Sequence, residues 1–152
     1  QIYQLQDKLG ENIINAATDI TGFGLIGHLK EMINGSNLQR KNKNLKEIRA
    51  VLNLMAFKTY PNVMELIKKG VKSSLFDGNK KIYDEIVSKE INGREIIFDS
   101  EEDLSNSKNR DKLDLLLDPQ TCGPLLISCK PRYEKYLKNN WYKIGRICEK
   151  DI

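Results

Sequence analysis

The sequence predicts a sandwich of helices and short strands, α+β or α/β in class. Short apolar, partly β-branched runs such as Ile13–Ile20 and Leu125–Cys129 alternate with stretches whose apolar residues recur at helical spacing, such as Leu25–Ile33. Glycine and proline fall at the boundaries between them, where chain reversals need them. With 152 residues, 39% of them hydrophobic, the chain is the right size for one domain with its own core and too small for two full ones.

Taken in order, Ile2–Leu9 reads as a short helix with Ile2, Leu5 and Leu9 on one face, closed by Gly10. Ile13–Ile20 is small, β-branched and apolar, a buried strand that leads into a threonine and glycine turn with Thr21 as N-cap. Leu25, Ile26, Leu29, Met32 and Ile33 then make a helical face opposite Lys30 and Glu31, with Gly35 as the stop. Asn34–Lys46 is polar and rich in asparagine and lysine, so a surface loop is expected, residues 36–46 being a mobile expansion. Ile48–Met55 begins as a strand and bends towards helix.

Pro61 opens a helix that runs to Lys69 and carries Val63, Leu66 and Ile67, with Gly70 as its stop. Asn79–Lys89 is a second amphipathic helix built on Ile82 and Ile86, with Tyr83 and Val87 beside them, and Arg94–Phe98 is a short strand. Asp99–Lys112 has one leucine among polar and charged residues and should be mobile, since it cannot bury enough apolar surface to offset the entropy of ordering. The apolar runs Leu113–Leu117 and Leu125–Cys129 bracket the turn DPQTCGP, before a helix over Pro131–Asn139 and a last strand over Tyr142–Cys148.

Charge narrows the function classes. The net charge of +4 comes from lysines spread along the chain, and the densest basic stretch, Arg40–Lys46, contains no aromatic residue, so a nucleic-acid surface is not expected. Three cysteines, Cys122, Cys129 and Cys148, form no C-x-x-C pair, which points away from a disulfide framework or a zinc site and towards a reducing, cytoplasmic compartment. No stretch approaches the roughly 20 apolar residues that span a bilayer. The first residues lack an initiator methionine and a signal-peptide core, so the chain is expected to be one domain, residues 1–152, of a longer protein.

Two strings carry the chemistry. In AATDITGFGLIGHLKEM (Ala16–Met32), Asp19 stands between Thr18 and Thr21, ahead of Gly22, Gly24 and Gly27 at the opening of an apolar helix. Unpaired N–H groups and the positive end of the helix dipole suit phosphate oxygens there, and a carboxylate beside them suits a metal ion or, equally, helix capping. The glycines also spell G-x-G-x-x-G, but the dinucleotide fingerprint needs an acid at the end of the next strand, about 20 residues on. Glu47, the nearest match, precedes its apolar run. The glycines then serve either close helix–strand packing or phosphates. His28, the only histidine, reads as a packed side chain rather than a catalyst. The second string, LLLDPQTCGPLLISC (Leu115–Cys129), reads as a turn that positions a central strand.

Together these strings resemble the C-terminal domain of the selenophosphate synthetase (selenide, water dikinase) family, within the wider aminoimidazole ribonucleotide synthetase superfamily. TDITGFGLIGH is similar to that family's specific string, and DPQTCGPLL to its DPQTSGGLL turn, with Cys122 in place of serine and Pro124 in place of the second glycine. GVKSSL (Gly70–Leu75), Asn79 and IGRICEK (Ile144–Lys150) add smaller echoes. The resemblance implies an α+β fold, a mixed and largely antiparallel sheet covered by helices.

It also implies a reaction that takes ATP, selenide and water to selenophosphate, AMP and phosphate. Asp19 would be a magnesium (Mg2+) ligand, with Thr18, Thr21 and Gly22 near the phosphates. The reactive cysteine or selenocysteine, its lysine and the other metal-binding aspartates belong to an N-terminal domain outside this chain. No catalytic residue is then expected here, Cys122 is read as structural, and the chain alone should be inactive. The family further implies a homodimer. The alternatives are a related ATP-dependent enzyme such as a thiamine-monophosphate kinase, or a diverged module without catalysis, which the Cys122 and Pro124 departures keep open.

Overall fold

A computed structural model of the chain describes residues 2–99, 107–120, 123–137 and 141–151. Helix α1 (Ile2–Leu9) ends at Gly10, whose φ of 66° and N–H bond to the Gln6 carbonyl at 2.8 Å close its last turn as expected. Strand β1 (Ile14–Asp19) follows and carries the chain to the threonine and glycine turn.

Two sheets form among the described residues. β1 pairs antiparallel with β4 (Leu125–Cys129), placing Ile14 opposite Cys129 and Asp19 opposite Leu125, with a shift of register between Ile14 and Ala16. In the other sheet β2 (Ile48–Leu52) is central, parallel to β3 (Ile96–Phe98) and antiparallel to β5 (Gly145–Glu149). The fold is therefore α+β with mixed, largely antiparallel pairing, flanked by helices. β2 is buried along nearly its whole length, which explains why IRAVL reads as an unbroken run with no polar alternation apart from Arg49.

The core gathers around that strand. Ile26, Leu29 and Ile33 of helix α2 (Gly24–Lys41) meet Ala50 and Leu52 of β2 and Ile96 and Phe98 of β3. Phe76 and Ile86 of α4 (Phe76–Val87) and Leu113, Leu116 and Leu117 of α5 (Ser107–Leu117) close it. Each of the leucine, isoleucine and phenylalanine side chains contributes on the order of 1.5–3 kcal/mol through the apolar surface that it removes from water. Helix α3 (Val63–Lys68) has no fully buried residue and starts two residues beyond Pro61.

Several expectations are corrected. α2 runs through Gly35 to Lys41, so residues 36–41 are helix and not loop. Asn37 explains it: the side chain is 8% exposed, donates through Nδ2 to the Ile48 carbonyl at 2.9 Å, and accepts from the Ile48 N–H at 2.7 Å. A polar residue thus extends the hydrogen bonding of β2 onto the helix. In the stretch Asp99–Lys112, helix begins at Ser107, while residues 100–106 lie outside the described residues. The Leu113–Leu117 run is the end of that helix, with Leu113, Leu116 and Leu117 buried at helical spacing. The segment Pro131–Tyr136 is 3-10 helix, and β5 starts at Gly145.

Candidate functional site

Alternation along β1 half-buries Ile14, Ala16 and Thr18 and exposes Asn15, Ala17 and Asp19. Asp19 therefore stands exposed at the carboxyl end of the strand, and no ion pair or hydrogen bond to its carboxylate forms among the described residues. The Thr18 hydroxyl, half-buried, donates to the Asp19 carbonyl at 3.2 Å. The next residue, Ile20, is 2% exposed and anchors the turn in the apolar interior.

The turn is strapped on both sides. The Ile20 N–H donates to the Pro124 carbonyl at 3.0 Å, and the Thr21 carbonyl accepts from the N–H groups of Gln120 at 3.0 Å and Gly24 at 3.1 Å. Pro124 uses only its carbonyl here, so its missing N–H removes nothing from this contact. Asn79, 4% exposed on α4, donates through Nδ2 to the Gly22 carbonyl at 2.9 Å and to the Leu117 carbonyl at 2.8 Å. Asp118 in turn accepts from the Ser73 N–H at 3.0 Å. DPQTCGP, GVKSSL and Asn79 thus converge on the Asp19 turn, although they are far apart in sequence. Thr121 and Cys122 lie outside the described residues.

The glycines divide by role. Gly24 has a φ of 63°, and a Cβ there would stand 2.8 Å from the carbonyl oxygens of Leu116 and Leu117. At Gly27 a Cβ would stand 2.6 Å from the Phe23 Cβ. Both are packing glycines, which fit α2 against α5 and against its own entry. Gly22 is different, since a Cβ there would meet nothing within 4 Å among the described residues. Its backbone is uncrowded by them beside Asp19.

Thr21 is not the N-cap of α2. Phe23 takes that place without a side-chain cap, and the Thr21 hydroxyl lies 3.0 Å from His28 Nε2. On its other side His28 Nδ1 is 3.3 Å from Glu31 Oε2, and the Phe23 ring lies 5.4 Å away at 49°. His28 is thus packed, as expected, and also hydrogen-bonded. Sequence reading missed Asn79 as a support of the turn and Glu31 as a partner of His28. The i,i+3 spacing of His28 and Glu31 on a helix was the available signal for the second.

A cleft of about 1920 Å³ has walls from both sheets, including Ile20, Leu29, Met32, Ile48, Leu126 and Ile144. Asp19, Thr18, Thr21 and Gly22 do not line it; its walls mix these apolar side chains with basic ones such as Arg40, Lys58, Lys143 and Arg146. No group of three His, Cys, Asp or Glu side chains that could hold a metal occurs among the described residues. An exposed, unengaged carboxylate fits one hard-oxygen ligand of a magnesium site whose remaining ligands come from elsewhere. Glu47 is paired with Lys150 at 3.0 Å and precedes β2, so it offers no ribose contact of the dinucleotide kind. No helix among the described residues is long and apolar enough to cross a membrane.

Comparisons with known proteins identify the relatives of this chain. The chain is 32% identical over 132 residues to the selenide, water dikinase of Shigella flexneri, and 33% identical over 132 residues to that of Escherichia coli K12. Each match covers 87% of this chain and 30% of the relative. The selenide, water dikinase of Dechloromonas aromatica is 34% identical over 118 residues, 78% of this chain and 27% of its own length. The chain thus spans less than a third of the curated relatives that it matches. The family model described as AIR synthase related protein, C-terminal domain, matches residues 1–152. With its α+β fold and its strapped TDITGFG turn, the chain belongs to the family of AIR synthase related protein C-terminal domains.

Proposed function

We propose that this chain is the C-terminal domain of a selenide, water dikinase, an enzyme that converts ATP, selenide and water into selenophosphate, AMP and phosphate. The observation that carries the reading is Asp19: an exposed carboxylate with no partner among the described residues, in a turn that three distant segments hold in place. A fixed acid with no partner among the described residues is well suited to act as a ligand. Thr18, Thr21 and Gly22 flank it in the chain, and the uncrowded backbone at Gly22 leaves room for a phosphate to approach.

In this reading Asp19 is one ligand of magnesium, and Thr18, Thr21 and Gly22 lie near the ATP phosphates. Magnesium, when bound, supplies neutralisation of the negative charge on the polyphosphate. The chain contributes the placement of that carboxylate, while its own N-terminal domain supplies the nucleophile and most of the nucleotide pocket. The whole enzyme acts in the cytoplasm as a homodimer, and this domain alone is inactive. The test is selenide-dependent ATP turnover by the full-length protein with Asp19→Asn. The expected result is a loss of about 100-fold or more with an unchanged circular dichroism spectrum. Turnover equal to wild type would remove Asp19 from the site, and absence of selenide-dependent turnover in the wild type would favour the non-catalytic module.

A further inference from the structure

Thr21, His28 and Glu31 form a hydroxyl–imidazole–carboxylate relay. Thr21 Oγ1 is 3.0 Å from His28 Nε2, and Glu31 Oε2 is 3.3 Å from His28 Nδ1. The imidazole is 11% exposed, flanked by the Phe23 ring, whereas the Glu31 side chain is 63% exposed. The ring is therefore held in a fixed place, with its two nitrogens committed to different partners.

Donor and acceptor accounting gives the relay a direction. A carboxylate 3.3 Å from Nδ1 repels a lone pair there and attracts an N–H, which favours the ring proton on Nδ1. In the neutral ring Nε2 is then left with a lone pair, and only the Thr21 O–H can supply the hydrogen between them. Thr21 thus spends its hydrogen inward. What remains on its oxygen is lone pairs, which can meet a cation or a hydrogen of bound water but cannot donate to a phosphate oxygen.

We infer that His28 and Glu31 are positioning residues, which fix the Thr21 hydroxyl as an acceptor two residues beyond Asp19. The inference rests on the dikinase reading for its consequence: Thr21 serves the cation side of a magnesium–nucleotide complex and not the phosphate oxygens. Partners that orient a ligating group in this way are worth about 10- to 100-fold in affinity or activity.

The test has two arms. The chain contains a single histidine, so 15N spectra of the 152-residue chain report one imidazole, recorded at a pH where the ring is neutral. The expected spectrum has a protonated Nδ1 and an unprotonated Nε2, and Glu31→Lys is expected to move the proton towards Nε2. A wild-type ring protonated at Nε2 overturns the relay, as does a tautomer that Glu31→Lys leaves unchanged. Because Glu31 is exposed, that variant also decides the matter if substitution of His28 prevents folding.

In the full-length protein, His28→Leu is expected to lower kcat about 10- to 100-fold with a smaller change in KM for ATP. His28→Gln, whose amide oxygen can accept from Thr21, is expected to restore most of the loss. Equal kcat in His28→Leu and wild type, or no difference between the two variants, overturns the positioning role. If the wild type lacks selenide-dependent turnover, the dikinase reading fails while the tautomer measurement still decides the relay.

Discussion

One amide nitrogen of Asn79 joins two segments, donating to the Gly22 carbonyl at 2.9 Å and the Leu117 carbonyl at 2.8 Å. The turn beyond Asp19 is thereby fixed to the end of α5 by a side chain of α4. Asn79→Leu should leave both carbonyls without this donor and destabilise the chain by about 2 kcal/mol or more, read as a lower urea midpoint with an unchanged slope. A midpoint within error of wild type would show that the contact holds nothing.

Gly24 and Gly22 should respond to the same substitution in opposite ways. Gly24→Ala meets a left-handed backbone and the Leu116 and Leu117 carbonyls together, and is expected to cost about 2–5 kcal/mol. Gly22→Ala has open space and should change thermal stability by no more than about 0.5 kcal/mol. Similar melting temperatures for the two variants would contradict the division between packing and open glycines.

Asn37→Ala removes both bonds to the Ile48 backbone. Amide hydrogen exchange is expected to accelerate over residues 36–41 of α2 much more than over residues 26–33, whose side chains sit in the core. Uniform acceleration along the helix would show that Asn37 supports the whole fold and not its carboxyl end.

Glu95 ties stability to pH. It is 7% exposed, and burial pushes its carboxyl up, but the hydrogen bond and charge of Lys89, with the charge of Lys150, outweigh burial and hold it below the ordinary value of 4.5. A carboxyl lowered on folding contributes stability that is complete above its unfolded value and is lost as pH falls through the lower folded value. Glu95→Gln should therefore lower the urea midpoint at pH 7, and the gap from wild type should narrow below about pH 4.5. A gap that widens in acid would reverse the assigned direction.

What the sequence could show depended on whether one stretch contained its own explanation. The Asp19 turn was legible because the strand, the acid, the glycines and the helix face are contiguous. β2 and β4 were legible as apolar runs. α5 was not, since its first turns are polar and only Leu113, Leu116 and Leu117 carry the helical period, too few to outweigh the charged stretch before them. The end of α2 was misread for a related reason: composition marks asparagine as a loop residue, whereas Asn37 is bonded to a strand that begins 11 residues later. Supports such as Asn79, which acts across 57 residues, leave no local periodicity at all.

The different surroundings of the three glycines bear on how such chains change over time. A descendant that lost its chemistry would still need Gly24 and Gly27 to fold, because a Cβ would strike the end of α5 at the first and Phe23 at the second. Asp19 and Gly22 carry no such burden. The glycine spelling of the signature therefore records architecture, and a copy released from selection for catalysis would reveal itself first by drift at Asp19 and Gly22, while the rest of the string stayed readable.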